Sequence, residues 1–419
     1  IQIKISTLRY RQMGNILNII DSRTHHKKTD GLLPFKCGPF FNYEFDNNFE
    51  YKIHNLKYIS KANNYFYIVE IAHDFGITDA INDILKMNKL IKLINNDKCK
   101  VILGYESEGD IDMSEFNNWY SKVCKPLENK IKFSNFHIFH ADLNCQKNNK
   151  TKINFFPSNS HMECAAHELN HIIKYQDGQV ATEMGYDFQH KTIQDIDIDK
   201  KTKHFLSFMR GMHNHRIALA SYFEYNELWY NNIISFLKIE WDGTGDIPKI
   251  LPKKYWESAN KLGDRPAVEI DTQNLKNKQG FSTTFTTKWE FYEETFLSVV
   301  SETIFDNSTL YFTEKISKPI MCLHPFILVT SSHSLKKLKE FGYKTFHPFI
   351  DESYDNEEDG LKRMQMIFDE LDKFRARPIQ ELKDWWKEIL PILEHNQKVF
   401  LKLGKNKSKR IKYMEKLND

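Results

Sequence analysis

Short apolar strands alternate with amphipathic helices in two separate stretches of this chain, and that alternation limits its fold more than any other feature. In the first stretch Tyr65-Phe66-Tyr67-Ile68-Val69-Glu70-Ile71 reads as a buried strand. Ala80 to Leu93 sets Ile81, Ile84, Leu85, Met87, Leu90 and Leu93 at helical spacing. Lys100 to Tyr105 is the next strand, Phe116 to Leu127 a helix, and Phe136-His137-Ile138-Phe139 a strand. In the second stretch His204 to Phe208 reads as a strand, Met209 to Asn214 as a loop and His215 to Tyr225 as a helix. Phe296 to Val300, Glu314 to Leu323, Pro325 to Val329 and Leu335 to Phe341 continue as strand, helix, strand, helix. Such repeats specify parallel strands covered by helices. The expected fold is α/β, with two Rossmann-like domains.

The chain has 419 residues, more than one hydrophobic core usually supports, so two domains are the natural division. The polar stretch Asp195 to Lys203 is the expected boundary. The expected domains are 1–200, 201–375 and a closing helical part, 376–419. Gly243 to Asp271 holds Gly and Pro with few periodic apolar residues and reads as loop. Glu358 to Phe374 and Ile379 to Leu403 read as amphipathic helices. Trp385 and Trp386 sit on the second of these, placed either across the domain junction or in an ordinary core.

Composition excludes several classes. Aromatic residues make up 14 % of the chain, which argues against disorder. A net charge of +3 is small for a dedicated nucleic-acid binder. The basic run Lys402 to Lys416 reads as a solvated, frayed helix, with a phosphate-binding patch as the alternative. Six cysteines (Cys37, Cys99, Cys124, Cys145, Cys164 and Cys322) are scattered and form no C-x-x-C pair, so free thiols in a reducing, cytoplasmic compartment are expected. No apolar run approaches the roughly 20 residues that span a bilayer. The start, Ile1-Gln2-Ile3-Lys4-Ile5, alternates like a strand and lacks a signal-peptide layout; without an initiator Met, an upstream anchor stays open.

Two segments carry the chemistry of an anion site. Arg210, His213, His215 and Arg216 crowd a strand-to-helix loop, where free N–H groups and the positive end of the helix dipole attract phosphate. Farther on, Thr313 is placed to cap a helix whose first turn holds Glu314 and Lys315. A carboxylate there can bind two ribose hydroxyls, and the neighbouring ammonium can neutralise a departing phosphate. Taken alone, Thr313-Glu314-Lys315 is also an ordinary helix start.

Several segments agree in order with one family. They are Ser301-Glu302-Thr303, Phe312-Thr313-Glu314-Lys315-Ile316-Ser317-Lys318-Pro319-Ile320, His324-Pro325-Phe326-Ile327, Leu338 to Phe346 and Ile350 to Asp355. This block resembles the donor domain of glycosyltransferases common in large DNA viruses and phages. Its Thr-Glu-Lys helix start is similar to that of fucosyltransferases and exostosin-type enzymes. Arg210 to Arg216 resembles the family's first donor-domain loop, although Met209-Arg210-Gly211 stands where two consecutive basic residues are usual. Ile392 to Asn396 resembles its closing helix. The resemblance implies a GT-B fold, with two Rossmann-like domains facing a cleft and a C-terminal helix packing across the junction. It implies sugar transfer from a UDP- or GDP-type donor to a glycan or other hydroxyl, or to a modified DNA base, with no catalytic metal or other cofactor. Host-cell cytoplasm is the expected location for a viral chain. Arg210, His213, His215, Arg216, Glu302, Thr313, Glu314 and Lys315 are the expected donor-binding residues.

The catalytic base stays open. Glu106, Glu108 and Asp110 follow one strand of the first domain; Asp74, with Glu70 and His73, follows another. Either cluster also reads as a solvated acidic turn. Two competing readings remain. His167-Glu168-Leu169-Asn170-His171 matches H-E-x-x-H, the zinc-protease pattern, with His190 as a third ligand. The other is a non-catalytic nucleic-acid-binding protein, for which the modest charge offers little.

Overall fold

The computed structural model describes residues 17–20, 32–33, 51–60, 63–71, 76–105, 113–159, seven positions between 162 and 173, 190–211, 213–239, 248–268, 270, 288–307, 309–405 and 409–418. By internal contacts the chain forms two compact units. One is Ile1–Ser158 with Lys407–Asp419, and the other is Asn159–Asn406.

The first unit is built on strands β1 (Leu17–Ile20), β2 (Leu32–Leu33), β3 (Tyr51–His54), β4 (Tyr65–Ile71), β5 (Cys99–Tyr105), β6 (Phe136–His140) and β7 (Asn154–Pro157). Six of them lie parallel in the order β3-β1-β4-β5-β6-β7, and β2 pairs antiparallel with the end of β4. Alternate side chains serve opposite faces, as the pleat requires. Tyr65, Tyr67 and Val69 join Val101, Leu103, Phe136 and Ile138 in one core. Phe66 and Ile68 join Ile102, Phe139 and Met414 in another. Met414 belongs to the last helix, Lys409–Asn418, so the end of the chain completes this unit's second layer. There Tyr413 and His137 Nδ1 share a 2.9 Å hydrogen bond.

The 80–93 helix of the sequence reading is two helices, Ile77–Leu85 and Asn88–Asn95. The break at Lys86-Met87 goes unseen in the spacing because both helices bury their apolar residues in the same core, through Ile81, Ile84, Leu90 and Leu93.

The second unit holds β8 (Lys203–Gly211), β9 (Ile233–Ile239), β10 (Thr295–Ser301) and β11 (Phe326–Val329), all parallel, in the order β11-β10-β8-β9. β10 and β11 are buried along their whole length, which explains their nearly continuous apolar sequence. The expected loop over 243–271 contains a helix, Trp256–Leu262, which buries Ala259 and Leu262.

Both sheets share one winding. In each, the first parallel strand lies between the second and the third, so the chain reverses direction beside β1 and again beside β8. In open parallel sheets the crevice at such a reversal, at the carboxyl ends of the strands, is where ligands bind.

The polar stretch 195–203 is held by the second unit. Lys191 and Lys200 pair with Glu293, and Lys203 pairs with Glu294. Lys201 is buried; its ammonium donates to the carbonyls of Tyr292 and Thr295 at 2.7 Å each and lies 4.3 Å from the Trp386 ring centre. Trp385 packs against Phe346, Phe349 and Phe374. Both tryptophans therefore sit in the core of this unit, on the Ile379–Lys405 helix. No helix among the described residues is long and apolar enough to cross a membrane.

Candidate functional site

The reversal between β8 and β10 gathers the basic loop and the Thr313 segment at one edge of the second sheet. β8 runs farther than its sequence pattern, through a bulge at Met209 to Gly211, so Arg210 lies on the strand rather than in a loop, with its side chain exposed. The next helix, Asn214–Tyr225, starts after His213, which is exposed and stacks on His215 at 5.7 Å with a 9° tilt.

His215 and Arg216 are buried, and both are turned to the backbone. His215 Nε2 lies 2.8 Å from the Glu302 carbonyl, and its ring stacks on Phe305 at 5.6 Å. Burial, reinforced by the Arg216 charge, pushes the imidazole well below its ordinary range, so this ring is a neutral donor. Arg216 donates to the carbonyl of Gly211 at 2.9 Å and to that of Glu302 at 3.1 Å, with longer contacts to Ser301. A guanidinium presents several donors in a rigid fork. Here the fork ties the end of β8 to the end of β10. These two side chains fix the frame of the crevice.

Glu302 follows β10 and is 1 % exposed. Its carboxylate accepts the Thr313 hydroxyl at 2.5 Å and the Thr313 N–H at 3.3 Å. Burial raises its pKa, and the Lys315 ammonium opposes that rise. Thr313 caps the Glu314–Met321 helix, as its sequence position suggests: its oxygen accepts from the Lys315 N–H at 3.2 Å. The same oxygen accepts from the Lys315 ammonium at 3.1 Å, and that ammonium also reaches the Thr303 hydroxyl at 3.1 Å. One donor and two acceptor sites exhaust a hydroxyl, so Thr313 is fully engaged. Glu314 and Lys315 stay part-exposed, with 3.5 Å between carboxylate and ammonium.

Beside Lys315 a small cleft, partly open to solvent, runs between this helix and the sheet. Leu206, Phe208 and Val300 give it apolar walls, Ser298 and Ser301 hydroxyls, and Lys315 and Lys318 positive charge. Ser298 is held by a 2.9 Å contact to the buried His324. Lys318 and the cleft serines carry no strong sequence signal, although Lys318 is three residues from Lys315 and so shares its helical face.

Other expected residues fall elsewhere. Asp74, Glu106, Glu108 and Asp110 lie outside the described residues, as do His73, His167, Glu168 and His171. Of the H-E-x-x-H segment, Leu169 is fully buried and Asn170 donates to the carbonyls of Ala166 and Leu401 at 2.9 and 2.8 Å. His190 is half-buried, and burial lowers its pKa. Among the described residues no three His, Cys, Asp or Glu side chains are grouped as a metal site.

No family model, curated protein or solved structure matches the chain.

Proposed function

We propose that this chain is a glycosyltransferase that moves a sugar from a nucleoside-diphosphate donor of the UDP or GDP type to a hydroxyl acceptor, and that it has the GT-B fold. One observation carries the reading: at the reversal of the second sheet, a buried Glu302 locks the cap of a helix whose first turn presents Glu314 and Lys315 beside an open cleft. In this reading Glu314 accepts hydrogen bonds from the ribose hydroxyls. Lys315 and the first N–H groups of two helices face the diphosphate. His215 and Arg216 act as positioning residues, and the exposed Arg210 and His213 stand at the rim.

The acceptor oxygen attacks the anomeric carbon, and the bond from that carbon to the diphosphate oxygen breaks. The acceptor proton passes to a base, for which Asp74, Glu106, Glu108 and Asp110 are the candidates. Negative charge grows on the leaving diphosphate. A preorganised ammonium stabilises it without the reorganisation that water would need. Lys315 suits this role because two threonine hydroxyls fix its position.

The test is a screen of nucleotide sugars for release of nucleoside diphosphate, with and without glycan and DNA acceptors. The reading expects turnover of at least one UDP- or GDP-sugar, abolished by Lys315→Met. Absence of turnover and of binding for every donor sinks it.

A further inference from the structure

Lys318 lines the same cleft as Lys315, one helical turn farther in. Its side chain is buried, 8 % exposed, with the ammonium 5.6 Å from the centre of the Phe208 ring. Residues three apart on a helix stand on one face, so both ammonium groups belong to the helix face that lines the cleft. Glu314 lies 3.5 Å from the Lys315 ammonium, so the charge at the helix start is partly offset. Among the described residues that line the cleft, two are lysines and none is acidic. The walls of Leu206, Phe208 and Val300 keep the local dielectric low, which strengthens attraction for an anion.

We infer that Lys318 is a specificity-determining residue: with Lys315 it forms a two-ammonium clamp that selects a ligand with two adjacent phosphates over one with a single phosphate. The inference rests on the nucleoside-diphosphate reading of this site. A first phosphate meets Lys315 at the helix start. A second phosphate is required to reach Lys318 deeper in the cleft. The clamp thus holds more tightly to the leaving diphosphate than to a nucleoside monophosphate.

The experiment measures, on the full chain, the affinities of a nucleoside diphosphate, the matching monophosphate and inorganic pyrophosphate. Lys318→Met should weaken the diphosphate about tenfold, the size of one charge-assisted hydrogen bond, and leave the monophosphate nearly unchanged. Lys318→Arg should restore part of the preference. Glu314→Ala should weaken both nucleotides alike and leave their ratio intact. If Lys318→Met and Lys318→Arg both fold and the diphosphate-to-monophosphate ratio is unchanged, Lys318 is a packing residue and the inference fails while the donor-site reading stands. If no nucleotide binds but pyrophosphate does, and Lys318→Met abolishes that binding, the donor reading fails and the clamp stands. Binding of neither nucleotide nor pyrophosphate overturns both.

Discussion

The hydroxyl of Thr313 donates a 2.5 Å hydrogen bond to the carboxylate of Glu302, joining a helix cap to the end of a strand 11 residues earlier. The same oxygen takes both the N–H and the ammonium of Lys315. Thr313→Val keeps the shape and removes all three contacts, leaving a buried carboxylate short of a donor. The expected cost is about 1–3 kcal/mol. Thr313→Ser should retain most of the stability. Denaturant titration of both variants checks this; equal stability for Val and Ser would show that the cap does not depend on the hydroxyl.

A second prediction concerns pH. His140 lies at the end of β6, and burial pushes its pKa down to about 4. Its Nδ1 accepts the Asp142 N–H at 3.0 Å, which requires the neutral ring. The folded pKa lies below the unfolded value of 6.5. The contribution to stability is therefore complete above pH 6.5 and is lost as pH falls from there through about 4. Ring resonances of His140 should titrate with a midpoint near 4, and stability should fall over that same interval. A midpoint in the ordinary histidine range would contradict the account.

Gly404 offers a test of packing. A Cβ there would lie 2.2 Å from the Ala166 carbonyl oxygen and 2.5 Å from Asn170 Nδ2. The first neighbour is backbone and cannot swing away. Gly404→Ala would ordinarily favour a helix, yet here it should destabilise by about 1–3 kcal/mol as overpacking does. Thermal unfolding of the variant decides; an unchanged or raised midpoint would mean that the segment bearing Leu169 and Asn170 does not pack against this glycine.

What was legible in the sequence was local. Thr313 announces a helix start because an N-cap acts on residues two or three positions away, and the structure begins a helix at Glu314. The buried strands were legible from their apolar runs. Long-range partners were not. Arg216 reads as a phosphate ligand in the sequence, and no spacing rule shows that its guanidinium also meets the carbonyls of Gly211 and Glu302. The acidic run Asp351 to Asp355 is explained in the same way. Glu352 accepts from the N–H groups of Phe346 and His347, the Thr345 hydroxyl and the Lys339 ammonium. Asp355 accepts the first N–H groups of the Ser334–Glu340 helix, from Leu335 and Lys336. The 158/159 division was hidden too, because Lys191, Lys200 and Lys203 find their carboxylates 91 to 102 residues later, at Glu293 and Glu294.

The central claim is that Glu314 and Lys315 form a nucleotide site. Its most direct test is the thermal unfolding of the wild-type chain and of Glu314→Ala across a series of nucleoside diphosphates. A ligand at about 100 times its dissociation constant stabilises the fold by about 2.7 kcal/mol, a shift of several degrees. The account predicts that shift for UDP or GDP in the wild type and its loss in Glu314→Ala, with the unliganded midpoint of the variant close to wild type. An equal shift in both proteins, or none with any nucleotide, would contradict it.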